Sequence, residues 1–408
     1  MPILTTSPDL NVTQNKSGKG YAFAFGLVTS LFFLWGLAYG LLDVLNKHFQ
    51  DALQIDKARS TLLQTAYFGA YFLIALPAGY FMERFGYKRG IIFGLILYAT
   101  GAFLFFPSAE LLSFPFFLLS MFVLASGLVF LETAANPYVT VLGAPESGSF
   151  RINLAQSFNG VGTFIGPLIG GLFFFNEEGA GSTSLGAVKT VYIIIAVMVL
   201  MVAAVFWKTT LPEVRVAGND HDNNGKALNL LTHKPFTSAL VAQFFYIAAQ
   251  VGIAALFINY CIENNSTITN TKASYLLSVS LLVFTLGRFT GTALMRRYPP
   301  RKLLQVFALI NIALCLLVVL NSGWISIYAL IAIFFFESIM FPTIFALGLR
   351  GLGSQTKKGA SFLIMTIVGG AIMPYFMGLL AEYINTATAY IIPIFCFGIV
   401  AWYAGRKD

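Results

Sequence analysis

The chain is a succession of long apolar runs separated by short polar ones. Runs of roughly twenty residues fall near 21–45, 60–82, 90–106, 114–142, 152–175 and 188–207. A second set falls near 236–261, 273–295, 303–321, 324–349, 360–384 and 387–404. About 20 apolar residues in a helix cross the hydrocarbon core of a bilayer. Lipid offers no partner to an open backbone, so each run must close its own hydrogen bonds as a helix. Twelve runs in 408 residues therefore predict an all-α membrane protein with twelve transmembrane helices. The composition agrees, with 57% of residues hydrophobic and 10% charged, against about a quarter charged in a soluble domain. A chain with 41 Phe and so few charges cannot coat a water-facing surface. A soluble enzyme, a disordered protein and a nucleic-acid binder are all excluded.

Residues 1–20 read as a polar tail, and the run that follows is too long for a signal-peptide core and lacks an A-x-A-type cleavage site. The three cysteines, Cys261, Cys315 and Cys396, lie far apart in or beside apolar runs, without a nearby His, so neither a disulfide framework nor a metal site is expected. No nucleophile with a base and no phosphate loop is visible, so no enzyme activity and no cofactor is expected. The series Gly160, Gly162, Gly166, Gly170 and Gly171 has no strand before it and reads as close helix packing.

The twelve runs divide six and six around 208–234, the one long polar stretch between them, which reads as a hinge loop. The expected organisation is a tail at 1–20, a six-helix bundle at 21–207, the hinge at 208–234 and a second six-helix bundle at 235–408. Lys and Arg accumulate on the cytoplasmic side of membrane proteins. With both termini there, nineteen of the 25 basic residues fall on that side and five on the other, leaving Arg288 within a span. The net charge of +8 is this asymmetry, and needs no polyanionic partner. The expected partners are the lipid bilayer and a small-molecule substrate, and the protein is expected to function as a monomer in a bacterial cytoplasmic (inner) membrane.

The halves echo each other. Glu132-x-x-x-Asn136-Pro137 sits late in span four, and Glu337-x-x-x-Phe341-Pro342 sits in the same place in span ten, 205 residues on. Gly79-x-x-x-Glu83-Arg84-x-Gly86 follows span two, and Gly291 with Arg296-Arg297 follows span eight. Two related six-helix halves are the architecture of a transporter whose site forms between them near the midplane.

An ionisable side chain at the centre of a span costs about 2.5–3.5 kcal/mol on insertion scales, so each one within a span calls for a reason. Asp43, Glu132, Arg288 and Glu337 are the four. Burial disfavours the charged form of a carboxyl group, so Asp43 and Glu132 are suited to taking up and releasing a proton as a cavity opens to either side. Glu337 and Arg288 are additional charges, which could equally pair or cap a broken helix. Asn153, Gln156 and Asn159 lie along one face of span five, Asn136 is one turn after Glu132, and Gln243, Tyr246 and Gln250 share a face of span seven. Amides beside aromatic rings match a sugar's hydroxyls and its apolar ring faces, although interhelical hydrogen bonding is the plainer reading of any one of them.

The Gly79–Arg89 stretch resembles the G-x-x-x-D-R-x-G-R/K pattern of the major facilitator superfamily, with Glu83 where Asp is usual. The resemblance implies twelve helices in two pseudo-symmetric six-helix bundles, with Gly79, Glu83, Arg84 and Gly86 forming a cytoplasmic gate that locks the halves through charge pairs. More narrowly, Phe32-Phe33-Leu34-Trp35-Gly36 leading to Asp43, Leu131–Pro137, Phe150–Asn159 and Phe341–Phe345 resemble the fucose permease branch. That branch implies proton-coupled monosaccharide import, with Asp43 and Glu132 as the acidic pair and Gln156 and Asn159 lining the cavity. Fucose permeases carry Asn where this chain has Gly40, and Tyr where it has Phe341. The Ile339-Met340-Phe341-Pro342 version is more like the glucose/galactose transporters, so glucose or galactose is the expected cargo, with H+ as coupling ion and Na+ the alternative. A proton/drug antiporter of the same superfamily and a non-transporting sugar sensor are the other readings.

Overall fold

The computed structural model describes residues 18–141, 148–175, 185–210, 230, 232–295, 297–350, 352 and 356–406. Most of the tail and most of the 208–234 stretch therefore lie outside the described residues. Among the described residues all regular structure is helical, and twelve helical segments are long and apolar enough to cross a membrane. The first six are α1 (Gly18–Leu53), α2 (Leu62–Phe85), α3 (Tyr87–Glu110), α4 (Phe114–Val141), α5 (Gly148–Phe174) and α6 (Gly186–Lys208). The second six are α7 (Lys234–Ala255), α8 (Asn270–Leu294), α9 (Pro300–Val319), α10, α11 and α12 (Ile391–Gly405). Two of these are broken: α10 into α10a (Trp324–Glu337) and α10b (Met340–Gly348), and α11 into α11a (Thr356–Met365) and α11b (Gly369–Tyr383) around a 3-10 turn.

The boundaries differ from the hydropathy reading where polar residues have protein partners. Span one was expected to end near 45, yet α1 runs on to Leu53. Asn46 and Gln50 in this extension are buried and bond to the other half, so these polar residues mark a protein contact rather than the end of the membrane. Where no polar partner is needed a helix is apolar all round, as one buried among helices and lipid can be. On α6, Tyr192, Ile195, Val199, Ala203 and Phe206 are buried, while Ile194, Val197, Met201 and Val205 are exposed on the other side.

The packing repeats between the halves. In the first, α1 packs on α5, α3 on α4 and α6, and α2 on α4. In the second, the equivalent helices pair in the same way: α7 with α11, α9 with α10 and α12, and α8 with α10. The halves meet through α5 against α8 and α2 against α11, two contacts that the pseudo-symmetry exchanges. Buried tyrosines lace the helices by donating to carbonyls of neighbours: Tyr98 to Leu34 at 3.1 Å and Tyr390 to Ile253 at 3.1 Å.

The α1–α5 seam is built on glycine. A Cβ on Gly36 would collide with the Asn159 carbonyl oxygen, one on Gly40 with that of Thr163, and one on Gly162 with that of Phe33. Backbones this close gain van der Waals contact that larger residues would prevent. The glycine series is thus packing, as the sequence suggested. Gly40 belongs to this seam, so its lack of a side chain is dictated by helix packing and says nothing about the shape of a sugar cavity. Gly40→Asn is expected to destabilise the purified protein by about 1–3 kcal/mol, as overpacked cores are, read as a lowered unfolding midpoint in detergent. Gly26→Ala, where a Cβ meets nothing within 4 Å, is the control and should leave the midpoint in place.

Candidate functional site

Asp43 is buried on α1, and its carboxylate accepts a hydrogen bond from Gln64 Nε2 of α2 at 3.2 Å. Gln64, Tyr67, Phe68 and Tyr71 follow at spacings of three and four, which puts them on one face of α2. The Tyr67 ring lies 5.5 Å from that of Tyr71, and Tyr39 of α1 lies 6.3 Å from both Tyr67 and Phe68. At the far end of this face Tyr71 stands beside the Glu132 carboxyl of α4. One Glu132 oxygen is buried without a hydrogen-bond partner. The two acids are therefore joined by a face of α2 that the sequence analysis did not single out, although a Gln and two Tyr at helical spacing within a span are legible as such.

The amides divide. Asn136, one turn beyond Glu132, accepts from Gln156 Nε2 of α5 at 3.4 Å, so Glu132, Asn136 and Gln156 form one half-buried polar cluster. Asn159 Nδ2 instead donates to the Phe32 carbonyl at 3.2 Å, strapping α5 to α1 beside the glycine seam. The side chain of Asn153 lies outside the described residues. Asp43 is bonded to Gln64 of α2, and no hydrogen bond joins it to the amides of α5 among the described residues.

In the second half, Pro342 explains the break in α10. Proline has no N–H, so the carbonyl four residues earlier, that of Ser338, has no helical partner. Arg288 of α8 takes that role, with its Nε 3.5 Å from the Ser338 oxygen. The Tyr246 hydroxyl of α7 donates to the neighbouring Glu337 carbonyl at 3.0 Å. Arg288 and Tyr246 thus cap a broken helix, and Arg288 also lies over the Phe284 ring at 4.9 Å. Tyr246 and Gln243 are fully buried, unlike the cavity-lining groups they were expected to be, whereas Gln250 is half-buried. Phe341 is half-buried and stacks on Phe345, with ring centroids 5.9 Å apart. The Glu337 side chain is fully buried, and neither carboxyl oxygen has a hydrogen-bond partner.

At the end of the bundle that carries the termini, Gly86 turns the chain between α2 and α3 at φ 84°, a conformation that favours glycine, and its N–H bonds to the Met82 carbonyl at 2.9 Å. Arg84 is exposed and lies over the ring of its neighbour Phe85. A Cβ on Gly79 would meet nothing within 4 Å. The side chain of Glu83 lies outside the described residues. Among the described residues no ion pair joins Arg84 to the other half.

The opposite end is closed by contacts between the halves. Lys57, in the short helix Lys57–Ser60, pairs with Glu263 at 2.7 Å, and its backbone N–H donates to Glu382 at 3.2 Å. Gln50 bonds reciprocally with Asn259 at 2.6 and 3.2 Å. Asn46 Nδ2 donates to the Ala255 carbonyl at 2.7 Å, and Asn270 to Asp51 at 2.8 Å. A groove of about 400 Å³ lined by Asp56, Arg59, Tyr375 and Glu382 lies on the outside of this closure, away from the acids. None of these residues carries a sequence signal, because their pairing depends on which helix ends the fold brings together. Lys57→Ala is expected to loosen the closure, so that a cysteine introduced at the buried Ala255 reacts with maleimide several-fold faster. The labelling rate of purified protein checks this.

Comparison with known proteins follows from this geometry. The family model described as Major Facilitator Superfamily matches residues 24–368. The chain is 39% identical to the L-fucose-proton symporter of Escherichia coli (strain K12), over 97% of this chain and 95% of that protein. It is 36% identical to the glucose/galactose transporter of Brucella abortus biovar 1 (strain 9-941), over 96% and 95% respectively. The crystal structure of FucP in the outward conformation superposes with a TM-score of 0.70 at 38% identity, covering 95% of this chain and 100% of that one. A bacterial homolog of the human lysosomal transporter Spinster, inward-facing and occupied, gives a TM-score of 0.77 at 16% identity, over 95% of this chain and 97% of that one, a likeness of fold alone.

Proposed function

The chain belongs to the major facilitator superfamily, and we propose that it is a secondary active transporter carrying a hexose inward with a proton by alternating access. The observation that carries this reading is the cluster on α4 and α5. A buried carboxyl oxygen of Glu132 lacks a partner one turn from Asn136, which is itself bonded to Gln156. Such a site offers a sugar both hydrogen-bond donors and acceptors, and offers a proton a carboxylate. The named relatives, a fucose-proton symporter and a glucose/galactose transporter, support the substrate class and H+ as the coupling ion. Gln156 binds the sugar in this reading, and Trp35 and Tyr39, half-buried on α1, supply apolar ring faces. Gln250 and Phe341 complete the chamber from the second half.

Asp43 has a different part from Glu132. Buried and bonded to Gln64, it exchanges protons through the polar face of α2 rather than touching sugar. Protonation removes a charge from an apolar interior and lets the loaded carrier reorient; the proton is released with the sugar on the other side, and the empty carrier returns without it. The Lys and Arg distribution puts the termini in the cytoplasm of a bacterial inner membrane. The closed end then faces outward, and the state described is closed to the outside, with Arg84 free of any described ion pair to the other half on the cytoplasmic side.

Glucose or galactose is preferred over fucose on the strength of Phe341, which lacks the hydroxyl of a tyrosine. Gly40 no longer bears on that choice. Counterflow of labelled glucose, galactose and L-fucose in proteoliposomes is expected to show exchange of at least one, and exchange of none would reject the sugar assignment. Asp43→Asn and Glu132→Gln are each expected to lower accumulation driven by a pH gradient at least tenfold. Counterflow should survive in Asp43→Asn and weaken in Glu132→Gln, because only Glu132 adjoins the sugar-binding amides.

A further inference from the structure

Among the described residues, Glu337 is the one buried acid that the reading above does not use. It is fully buried with both carboxyl oxygens unpartnered, at the break between α10a and α10b. Around it, further polar groups also lack partners. Gln243 of α7 is fully buried with neither its amide oxygen nor its nitrogen bonded, one turn from the Tyr246 that holds the Glu337 carbonyl. Asn311 of α9 is fully buried in the same condition, one turn before Cys315. Cys315 itself lies within electrostatic reach of the Glu337 carboxyl.

The titratable groups that interact electrostatically with Glu337 are Tyr246 from α7, Cys315 from α9 and Tyr39 from α1, with Arg288 of α8 at the adjacent carbonyl. None neutralises it. The Arg288 Nε is engaged with the Ser338 carbonyl and its guanidinium with the Phe284 ring, and among the described residues no ion pair reaches Glu337. A charge sealed in so apolar a place is costly unless it is paired or the group takes up a proton.

Two features argue against a merely structural neutral acid. Glu337 occupies in the second half the position that Glu132 occupies in the first, each five residues before a proline in spans four and ten. It also lies towards the interface between the halves, since Tyr39 of the first half interacts electrostatically with both Asp43 and Glu337. An acid at a helix break, towards that interface, is placed where a small rearrangement exposes it to water.

We propose that Glu337 is a second proton-binding site of the transport cycle, the pseudo-symmetric counterpart of Glu132, carrying one proton in addition to that of the Asp43–Glu132 pair. The carboxylate takes its proton from the side where the chamber opens to the proton source, crosses as the neutral acid, and releases the same proton on the other side. The proposal rests on the reading of this chain as a proton–sugar symporter.

The test is a stoichiometry. Purified full-length protein in proteoliposomes is supplied with whichever of glucose, galactose or L-fucose exchanges fastest, and the gradient at which net flux vanishes gives the proton-to-sugar ratio. Wild type is expected to exceed Glu337→Gln by one proton. With one pH unit across the membrane, the limiting accumulation of the variant is then tenfold lower, because each proton contributes one decade per unit. Glu337→Asp, which restores a carboxyl group, should return the ratio to the wild-type value. Counterflow reports that each variant is folded and binds sugar, and Glu337→Met supplies the same comparison should the glutamine variant not fold. A ratio unchanged in Glu337→Gln or Glu337→Met overturns the proposal and leaves symport intact. A wild-type ratio of zero overturns the symport reading itself.

Discussion

A polar group inside a bilayer has no solvent to fall back on, so it must find a partner within the protein or be kept for use. Everything informative in this structure follows from that constraint. It makes each span a helix, and it turns each interruption of a helix into a demand on neighbouring side chains. Pro342 illustrates the demand. The proline leaves the Ser338 carbonyl without its helical donor, and Arg288 and Tyr246, from two other helices, supply donors to that carbonyl and the one before it. Tyr246, read from the sequence as a sugar-binding group, and Arg288, read as an additional charge, both cap this break.

The same constraint sorts the amides. Asn159 and Gln156 lie one turn apart on α5, yet one straps a backbone carbonyl of α1 and the other joins Asn136 beside Glu132. A hydrogen bond to a main-chain carbonyl fixes a helix pair, whereas a weak side-chain pair at 3.4 Å can be exchanged for a ligand. The acids divide in a parallel way. Asp43 is enclosed and held by Gln64, while Glu132 adjoins the amides, and the aromatic face of α2 runs between them.

Close backbone contact has its own logic. The α1–α5 seam brings carbonyl oxygens against Gly36 and Gly40, so no side chain of any kind fits there. A position that reads, in a sequence compared with a family pattern, as a lost hydrogen-bonding group becomes a position where packing forbids one. The preference among hexoses loses one of its two supports for this reason and keeps the other, at Phe341.

Twelve helices, their division into two echoing halves, the side that holds the basic residues and the four charges within spans were all legible in the sequence. Hydropathy, charge and repeat are properties of residues taken one segment at a time, and lipid makes each segment answer for its own backbone. What only the tertiary structure decided was partnership: that α1 extends to Leu53 because Asn46 and Gln50 meet the other half, that Gln243 and Tyr246 are sealed while Gln156 is not, that Lys57 meets Glu263, and that the Glu337 carboxyl meets no hydrogen-bond partner among the described residues. Helical periodicity says which residues share a face, and only the packing of twelve helices against one another says what that face confronts.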